Sequence, residues 1–465
     1  MTVDRDKWVP ARLIPVAGIR GEDEQEARAA SAFLAVLRAV PDFAYALLAD
    51  LGAPRGRLET FTEIRFKDVD GRPHRPDGAV VATRGSRTWV ALVEVKTGSG
   101  ALGTDQVNRY LDVARENAID AVITISNQIT ARPEDVPFNF DRRKTRRVDL
   151  YHLSWWKILT TAVMQHRHRG VSDPDQAWIL GELIAYLDHE NSGASGFQDM
   201  GRGWVTVRDA VRQGTLRAND AEARNVVERW EQFLDYVALG LSQDLGRDVS
   251  PVRARNQTLT ERSDAHLQRL AADGVLSGEM RVPDAAGTIA VEADLRAQQV
   301  TTSTRLAAPR EGRQATRVNW LLRQMAEANQ GLRLTTTFTG TRETSSVLLG
   351  EARDDPTRLL NGSDPRRDIR AFDVALTRRL GAKNGRTKGS FVGDTRQQVI
   401  DFYSEVVQNL TSWQAKAPKL PPPPEDVPQT PQPEPPPFVA ASEREATEAS
   451  LNDAPATTES PNWGS

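Results

Sequence analysis

Hydrophobic and polar residues follow two periods along the first 170 residues, and each period predicts a different element. Apolar residues three or four positions apart predict helices, whereas alternating or continuous short apolar runs predict strands. The helical segments are 20–40, 103–118 and 155–166. The strand segments are 57–66, the two arms of a hairpin within 75–96, 121–126 and 147–155. This order predicts an α/β domain over residues 1–170, with a mixed sheet flanked by helices.

Two of these helices have a candidate capping residue at their start. Thr104 precedes one helical pattern and Ser154 precedes the other. A Ser or Thr hydroxyl at this position accepts a hydrogen bond from a backbone N–H that the helix leaves unpaired. We therefore predict that Thr104 and Ser154 cap their helices.

The rest of the chain divides into three further regions. Residues 171–250 are predicted to be a helical connecting region, and 251–416 an α+β domain of unassigned role. Strands are expected in that domain at 287–295, 298–306 and 332–340, with a helix at 313–328. Residues 417–465 are rich in proline and acidic residues, which predicts a disordered tail.

Composition narrows the classes of protein that fit. The chain has no cysteine, which excludes disulfides, thiolate zinc sites, iron–sulfur clusters and a cysteine nucleophile. No apolar run approaches the roughly 20 residues that span a bilayer, and the N-terminus lacks an apolar signal core. We therefore expect a cytoplasmic protein without a membrane partner.

The net charge of −3 conceals an uneven distribution. The tail from Ala417 onward carries −6, so the preceding residues carry +3. Residues 1–170 alone carry +4. A mildly basic domain joined to an acidic tail is compatible with binding to nucleic acid.

The hairpin within residues 75–96 places charged residues among valines and alanines. A Gly-Ser pair at Gly85 predicts a two-residue turn in which Arg84 faces Arg87. This register puts Asp77 directly opposite Glu94. Because like charges repel more strongly when they are buried, a positive group is expected between these two carboxylates.

Two candidates supply that positive charge. Lys96 shares a face with Glu94 by strand alternation, so Lys96 alone would form a structural ion cluster with the two carboxylates. A divalent cation is the other candidate, since the carboxylates of Asp77 and Glu94 and the carbonyl of Val95 are hard oxygen ligands for Mg²⁺ or Mn²⁺. Lys96 would then orient or deprotonate a water, or stabilise charge on a phosphate.

Pro76-Asp77, a spacer and then Glu94-Val95-Lys96 resemble the signature of the PD-(D/E)XK nuclease superfamily. The predicted order of elements resembles the αβββαβ core of that family, the restriction-endonuclease-like fold. The resemblance implies that Asp77 and Glu94 bind Mg²⁺, for which Mn²⁺ can substitute. It also implies that Lys96 assists the attack of water on a phosphodiester.

Two further features resemble the RecB-like branch of the superfamily. Gln106 and Tyr110 lie four apart on a predicted helix and match its Gln-x-x-x-Tyr element, which borders the site and the DNA backbone. The alternative is a surface glutamine beside a packed tyrosine. Glu26 on the first helix resembles an additional acidic ligand, for which Glu22 competes, although a carboxylate at a helix start also favours the dipole. The resemblance covers residues 20–165.

A cluster of basic residues precedes the last strand of this domain. The cluster consists of Arg142, Arg143, Lys144, Arg146 and Arg147. Such a loop contacts nucleic-acid phosphates in one interpretation and is a solvated charge run in the other.

The sequence thus predicts a Mg²⁺-dependent nuclease that hydrolyses DNA phosphodiester bonds, in restriction, repair or phage defence. The competing hypothesis is a non-catalytic nuclease-like fold that binds nucleic acid or protein within a complex. An RNA substrate is a third hypothesis. A protein partner would bind through the C-terminal domain or the tail. Substrate specificity, endo- or exonuclease action and oligomeric state have no signal in the sequence.

Overall fold

The computed structural model describes residues 12–16, 21–67, 73–100, 102–130, 132–194, 196–254, 257–361, 367–381, 383 and 389–415. The predicted disordered tail at 417–465 lies outside the described residues. Within the part that is described, the chain up to Gln414 forms one compact unit with a five-stranded sheet, a seven-stranded sheet and a small two-stranded sheet of Phe66–Lys67 and Pro73–His74. The fold is therefore a mixed α/β fold.

The N-terminal part contains the predicted alternation of helices and strands. Its helices are α1 (Glu22–Ala39), α2 (Pro41–Leu48), α3 (Thr104–Glu116) and α4 (Trp155–Val163). Its strands are β1 (Arg57–Thr62), β2 (Phe66–Lys67), β3 (Pro73–His74), β4 (Gly78–Arg84), β5 (Arg87–Val95), β6 (Ala121–Ser126) and β7 (Asp149–Ser154). The helices and strands predicted here are confirmed in type, except that the predicted strand 57–66 ends at Thr62 and β2 belongs to a separate two-stranded sheet with β3. A 3₁₀ turn, Arg142–Arg146, precedes β7.

Five of these strands form one mixed sheet in the order β1-β4-β5-β6-β7. The first three are antiparallel, whereas β5, β6 and β7 are parallel to one another. Helices α1, α2 and α4 pack on one face of the sheet, and α3 packs on the other face. The carboxyl ends of the three parallel strands therefore meet at one edge of the sheet.

The hairpin register predicted from the turn is confirmed. Arg84 pairs with Arg87, and Gly78 at the far end of β4 pairs with Val93. Gly85 has a φ of 59°, a left-handed value that glycine adopts without strain. The next pair along this ladder is Asp77 and Glu94, so the two carboxylates lie across from each other where the strand pair ends.

One of the two predicted caps is confirmed and the other is wrong. The Ser154 hydroxyl accepts a hydrogen bond from the Lys157 N–H (3.0 Å). Thr104 is instead the first helical residue of α3, and the preceding Gly103 occupies the capping position without a side-chain bond. Gly103 has the extended backbone of a capping position, where glycine is tolerated.

The C-terminal part is built on a second sheet. The helices after α4 are α5 (Pro174–Leu187), α6 (Trp204–Gln213), α7 (Ala221–Leu245), α8 (Leu259–Asp273), α9 (Gln314–Gln324), α10 (Leu349–Asp354) and α11 (Phe391–Glu405). The strands are β8 (Ser250–Pro251), β9 (Val275–Arg281), β10 (Ile289–Asp294), β11 (Gln299–Ala307), β12 (Arg333–Phe338), β13 (Thr344–Leu348) and β14 (Ile369–Arg379). These strands form an antiparallel sheet in the order β13-β12-β14-β11-β10-β9-β8. The three strands and the helix predicted for this region are confirmed.

The helices of region 171–250 belong to two different cores. Helix α5 packs with α1 and α4 on the first sheet, whereas α6 and α7 pack against the second sheet. Helix α4 also touches α7, where the Trp156 indole N–H donates to the Tyr236 carbonyl at 3.2 Å. The boundaries predicted at residues 170, 250 and 416 are not tested by these contacts and stay predictions.

No single helix in the described part of the chain is long and apolar enough to cross a bilayer. Two consecutive segments, Glu22–Ala39 and Pro41–Leu51, together have the length and composition of a span, but they meet at 108°. The cytoplasmic localisation stays a prediction.

The two cap assignments predict unequal effects on stability. We expect Ser154→Ala to lower the free energy of unfolding by about 1 kcal/mol, because the Lys157 N–H loses its partner. Thr104→Ala should change it by less than about 0.5 kcal/mol, since Thr104 is exposed and caps nothing. Urea denaturation measures both variants, and equal losses would contradict the assignment.

Candidate active site

Four charged side chains meet at the carboxyl edge of the first sheet. Asp77 directly precedes β4, Glu94 lies in β5, and Lys96 follows the last residue of that strand. Glu26 reaches the same place from the first turns of α1 and forms an ion pair with Lys96. The predicted catalytic residues are therefore brought together by the hairpin, and Glu26 is brought to them by the helix.

Glu94 is the most buried carboxylate of the cluster, with 3% of its surface exposed. Its Oε1 accepts a hydrogen bond from the Gln106 amide and lies 3.7 Å from the Lys96 Nζ. Its Oε2 is buried and has no hydrogen bond of normal geometry within the described residues, although Asp77 and the Tyr110 hydroxyl lie near enough to shift the pKa of Glu94. Burial, followed by the charge of Asp77, raises the pKa of Glu94 to about 8.

Asp77 is half-buried and is held by the main chain of the facing strand. Its Oδ2 accepts the Val95 N–H at 2.7 Å. Burial raises the pKa of Asp77, although the Val95 N–H and the charge of Lys96 act in the opposite direction. Since the pKa of both carboxyl groups is raised, the pair resists holding two negative charges without a further cation.

Lys96 is a protonated ammonium within this cluster. Its Nζ donates to the Glu26 Oε2 at 2.8 Å. Burial alone would lower the pKa of Lys96, but the hydrogen bond to Glu26 and the charge of Glu94 outweigh it and raise that pKa. Glu26 contacts Lys96, whereas Glu22, its competitor for the additional acidic ligand, is exposed. That either residue binds a metal stays a prediction.

The main chain of Lys96 is fixed on both sides. Its N–H donates to the Ile125 carbonyl of β6 (2.8 Å), and its carbonyl accepts the Trp155 indole N–H (2.9 Å). The next residue, Thr97, is buried and donates its hydroxyl to Gln25 at 3.1 Å. Sequence reasoning missed Trp155 and Gln25, although Gln25 adjoins Glu26 and Trp155 follows the predicted cap.

Gln106 and Tyr110 lie on one side of α3, as their spacing predicts, and that side faces the carboxylates, as the resemblance implies. Gln106 contacts Glu94 directly. The Tyr110 hydroxyl donates to the carbonyl of Arg75 at 3.3 Å, and burial raises the pKa of this phenol. The pair thus borders the carboxylates and the segment that leads into Asp77.

The structure does not place the basic residues 142–147 in this cluster. They precede β7, so they lie at the amino ends of the parallel strands, away from the edge that carries Glu94. Lys144 forms an ion pair with Asp112 of α3, and Arg143 forms one with Asp141. Arg142, Arg146 and Arg147 are exposed, and the described residues offer them no carboxylate at salt-bridge distance.

A polar row that the sequence did not reveal continues from Glu94 across the sheet. Glu94 is in register with Thr124 of β6, which is in register with His152 of β7. The Thr124 Oγ1 lies 2.9 Å from the His152 Nδ1, and the Nε2 lies 2.9 Å from the Gln128 carbonyl. Burial lowers the pKa of His152 to about 4, so the imidazole is neutral at neutral pH.

The donor set suits a hard divalent cation. The buried, unpartnered Oε2 of Glu94 and the facing carboxylate of Asp77 are oxygen donors of the kind that Mg²⁺ and Mn²⁺ take. Within the described residues no three His, Asp or Glu side chains already form a metal-sized group. Lys96 instead links Glu26 to Glu94 through its Nζ.

Comparison with known proteins adds no assignment to this geometry. No model of a known protein family matches the chain, and no curated protein matches it in sequence.

The raised pKa of Glu94 predicts that this residue destabilises the metal-free protein at high pH. The folded-state pKa, about 8, exceeds the ordinary value of 4.5, so the stabilising proton is lost as the pH rises through 8. Glu94→Gln should therefore be more stable than the wild type at pH 9, by about 1–3 kcal/mol. The difference should shrink at pH 5, where the wild-type carboxyl is also neutral.

Urea denaturation in EDTA at both pH values measures this difference. Glu327→Gln, at an exposed position far along the chain, is the control and should show no such pH dependence. A Glu94→Gln variant that is less stable than the wild type at pH 9 would contradict the assignment.

Proposed function

We propose that this protein is a metal-dependent nuclease that hydrolyses phosphodiester bonds in DNA, with a restriction-endonuclease-like N-terminal domain. One observation carries the proposal. Asp77 and Glu94 face each other at the end of a strand pair, one of them with an unpartnered buried oxygen, and Lys96 stands beside them. This arrangement supports the proposal because Asp77, Glu94 and Lys96 are the residues on which the resemblance to PD-(D/E)XK nucleases rests.

Asp77, Glu94 and the carbonyl of Val95 would hold the cation, Mg²⁺ or Mn²⁺. When bound, the cation supplies positive charge for the phosphate oxygens and lowers the pKa of a water. The protein contributes two neighbouring carboxylates, and a cation between them would offset their mutual repulsion. The Val95 N–H contributes by fixing one oxygen of Asp77.

Lys96 acts in this proposal as a charge that stabilises the transition state. Because its pKa is raised, Lys96 keeps its proton and is poorly suited to remove one from a water in the metal-free cluster. An ammonium beside the carboxylate pair is placed to stabilise negative charge that develops on the phosphate. Glu26 orients Lys96 through their 2.8 Å ion pair.

Gln106 and Tyr110 would position the substrate strand. The Gln106 amide donates to Glu94, and it would be placed to donate to a phosphate oxygen of a bound strand. Tyr110 lies on the same side of α3 and holds the chain before Asp77 through the carbonyl of Arg75.

The burial of Glu94 favours catalysis over the alternative of a non-catalytic binding module. A carboxylate with 3% exposure and an unpartnered oxygen costs folding free energy. A module that only binds nucleic acid does not require a buried carboxylate, so it does not explain why the fold bears this free-energy cost. DNA over RNA, and a role in restriction, repair or phage defence, follow only from the resemblance and stay predictions.

Cleavage of supercoiled and linear DNA in Mg²⁺ or Mn²⁺ tests the proposal. We expect the wild type to cut, EDTA to abolish cutting, and Lys96→Ala to reduce the rate at least about 100-fold. Arg115→Ala is the matched control, because it removes one positive charge from an exposed part of α3 and should retain activity.

Two results would contradict the proposal. Lys96→Ala could cut as fast as the wild type, or the metal dependence could survive in Glu94→Gln. An RNA substrate that is cut in preference to DNA would retain the site and change the substrate class.

The exposed arginines before β7 predict a contact with the DNA backbone away from the scissile bond. We expect Arg146→Ala with Arg147→Ala to reduce the salt dependence of duplex binding, measured as log K against log salt, by up to about 2. Lys144→Ala should leave this slope unchanged, because Lys144 is paired with Asp112. Binding is measured in the Glu94→Gln background, and an equal change of slope in both variants would contradict the contact.

A further inference from the structure

The indole of Trp155 touches the main chain of Lys96. Its Nε1–H donates to the Lys96 carbonyl at 2.9 Å. We propose that Trp155 is a positioning residue for Lys96, a role that rests on the proposed nuclease function. Trp155 acts through Lys96 and needs no contact with substrate.

The position of this hydrogen bond explains why it matters. Strand β5 ends at Val95, and the N–H of Lys96 still donates to the Ile125 carbonyl of the neighbouring strand. The Lys96 carbonyl lies past the last residue of the strand, and Trp155 supplies a donor for it. A lysine ammonium stands at the end of four methylenes, so its position is reproducible only if the main chain that carries it is fixed.

Trp155 is itself held rigidly. Its side chain is 1% exposed and packs edge-on against Phe33 of α1, with the ring centroids 6.1 Å apart. Ser154 caps the first turn of α4 immediately before it. The indole therefore cannot change rotamer without disturbing the first core.

The same helix fixes both ends of Lys96. Glu26 binds the ammonium, and Phe33, seven residues later on the same face of α1, packs against the indole that binds the carbonyl. Lys96 is thus held at its ammonium by Glu26 and at its main chain by an indole that packs on the same helix. Burial of Trp155 in the core does not by itself require that its N–H donate to the Lys96 carbonyl.

The adjacent Trp156 is a natural control. Its indole N–H also donates to a main-chain carbonyl, that of Tyr236 on α7, at 3.2 Å. Its ring packs on the Tyr236 ring with the centroids 4.8 Å apart. Trp156→Phe therefore removes the same chemical groups as Trp155→Phe, but away from Lys96.

The experiment compares three variants by two independent measurements. The variants are Trp155→Phe, Trp156→Phe and Phe33→Leu, where the last loosens the packing around Trp155 and keeps its N–H. The first measurement is steady-state cleavage of a DNA duplex in Mn²⁺, with kcat and KM separated. The second is amide hydrogen exchange of the peptide that contains Lys96 and Thr97, which requires no activity. Urea denaturation of each variant accompanies both.

We expect Trp155→Phe to lower kcat about 10-fold to 100-fold with KM within about twofold of the wild type. Exchange in the Lys96 peptide should become at least about tenfold faster. Trp156→Phe should lose stability but keep kcat within about threefold and exchange near the wild-type rate. Phe33→Leu keeps the Trp155 N–H but loosens its packing, so its effects on kcat and exchange should lie between those of Trp156→Phe and Trp155→Phe.

Unchanged kcat and unchanged exchange in Trp155→Phe would overturn the positioning role. Equal effects in Trp156→Phe would overturn it as well, because they would show a general loss of packing. If the wild type cuts no phosphodiester substrate, the proposed function fails, and the exchange measurement still decides whether Trp155 holds Lys96.

Discussion

Electrostatic repulsion between two neighbouring carboxylates is the constraint on which the site depends. Asp77 and Glu94 are placed opposite each other by the hairpin register and are removed from water by the sheet and by α3. Both respond with a raised pKa, which means that the cluster carries a proton where a cation would otherwise sit. Lys96 relieves part of this repulsion, yet the pKa of Glu94 stays near 8 with Lys96 present.

The surrounding fold holds these charges in place through main-chain contacts from separate elements. The Val95 N–H orients Asp77, β6 and Trp155 fix the main chain of Lys96, and α1 fixes its ammonium. These contacts come from parts of the chain up to about 130 residues apart, so a complete site requires the whole first sheet and its helices. The energetic cost of burying Glu94 is then compensated by the rest of the core.

The sequence predicted the features that local chemistry determines. A Gly-Ser turn fixes the hairpin register, and that register brings Asp77 to Glu94. Glu26 was expected at the site from the resemblance, and the structure brings it to Lys96 from α1. The caps show the limit of such reasoning, because Thr104 and Ser154 have the same chemistry and only Ser154 accepts a bond.

Features that depend on tertiary structure escaped prediction. The contact between Trp155 and Lys96 joins residues that are 59 apart in sequence, and no periodic pattern encodes it. The location of Arg146 and its neighbours followed only from the parallel order of β5, β6 and β7. Strands Ile369–Arg379 and Val275–Arg281 also escaped prediction, although buried and less buried residues alternate along much of Ile369–Arg379.

Binding of Mn²⁺ measured by titration calorimetry tests the central claim most directly. The wild type and Asp77→Asn are titrated at pH 7 in two buffers with different ionisation enthalpies, which separates proton release from binding. The account predicts that the wild type binds Mn²⁺ with release of about one proton, since the pKa of Glu94 is about 8, and that Asp77→Asn loses this binding. Equal binding by both proteins, or no binding by the wild type, would contradict it.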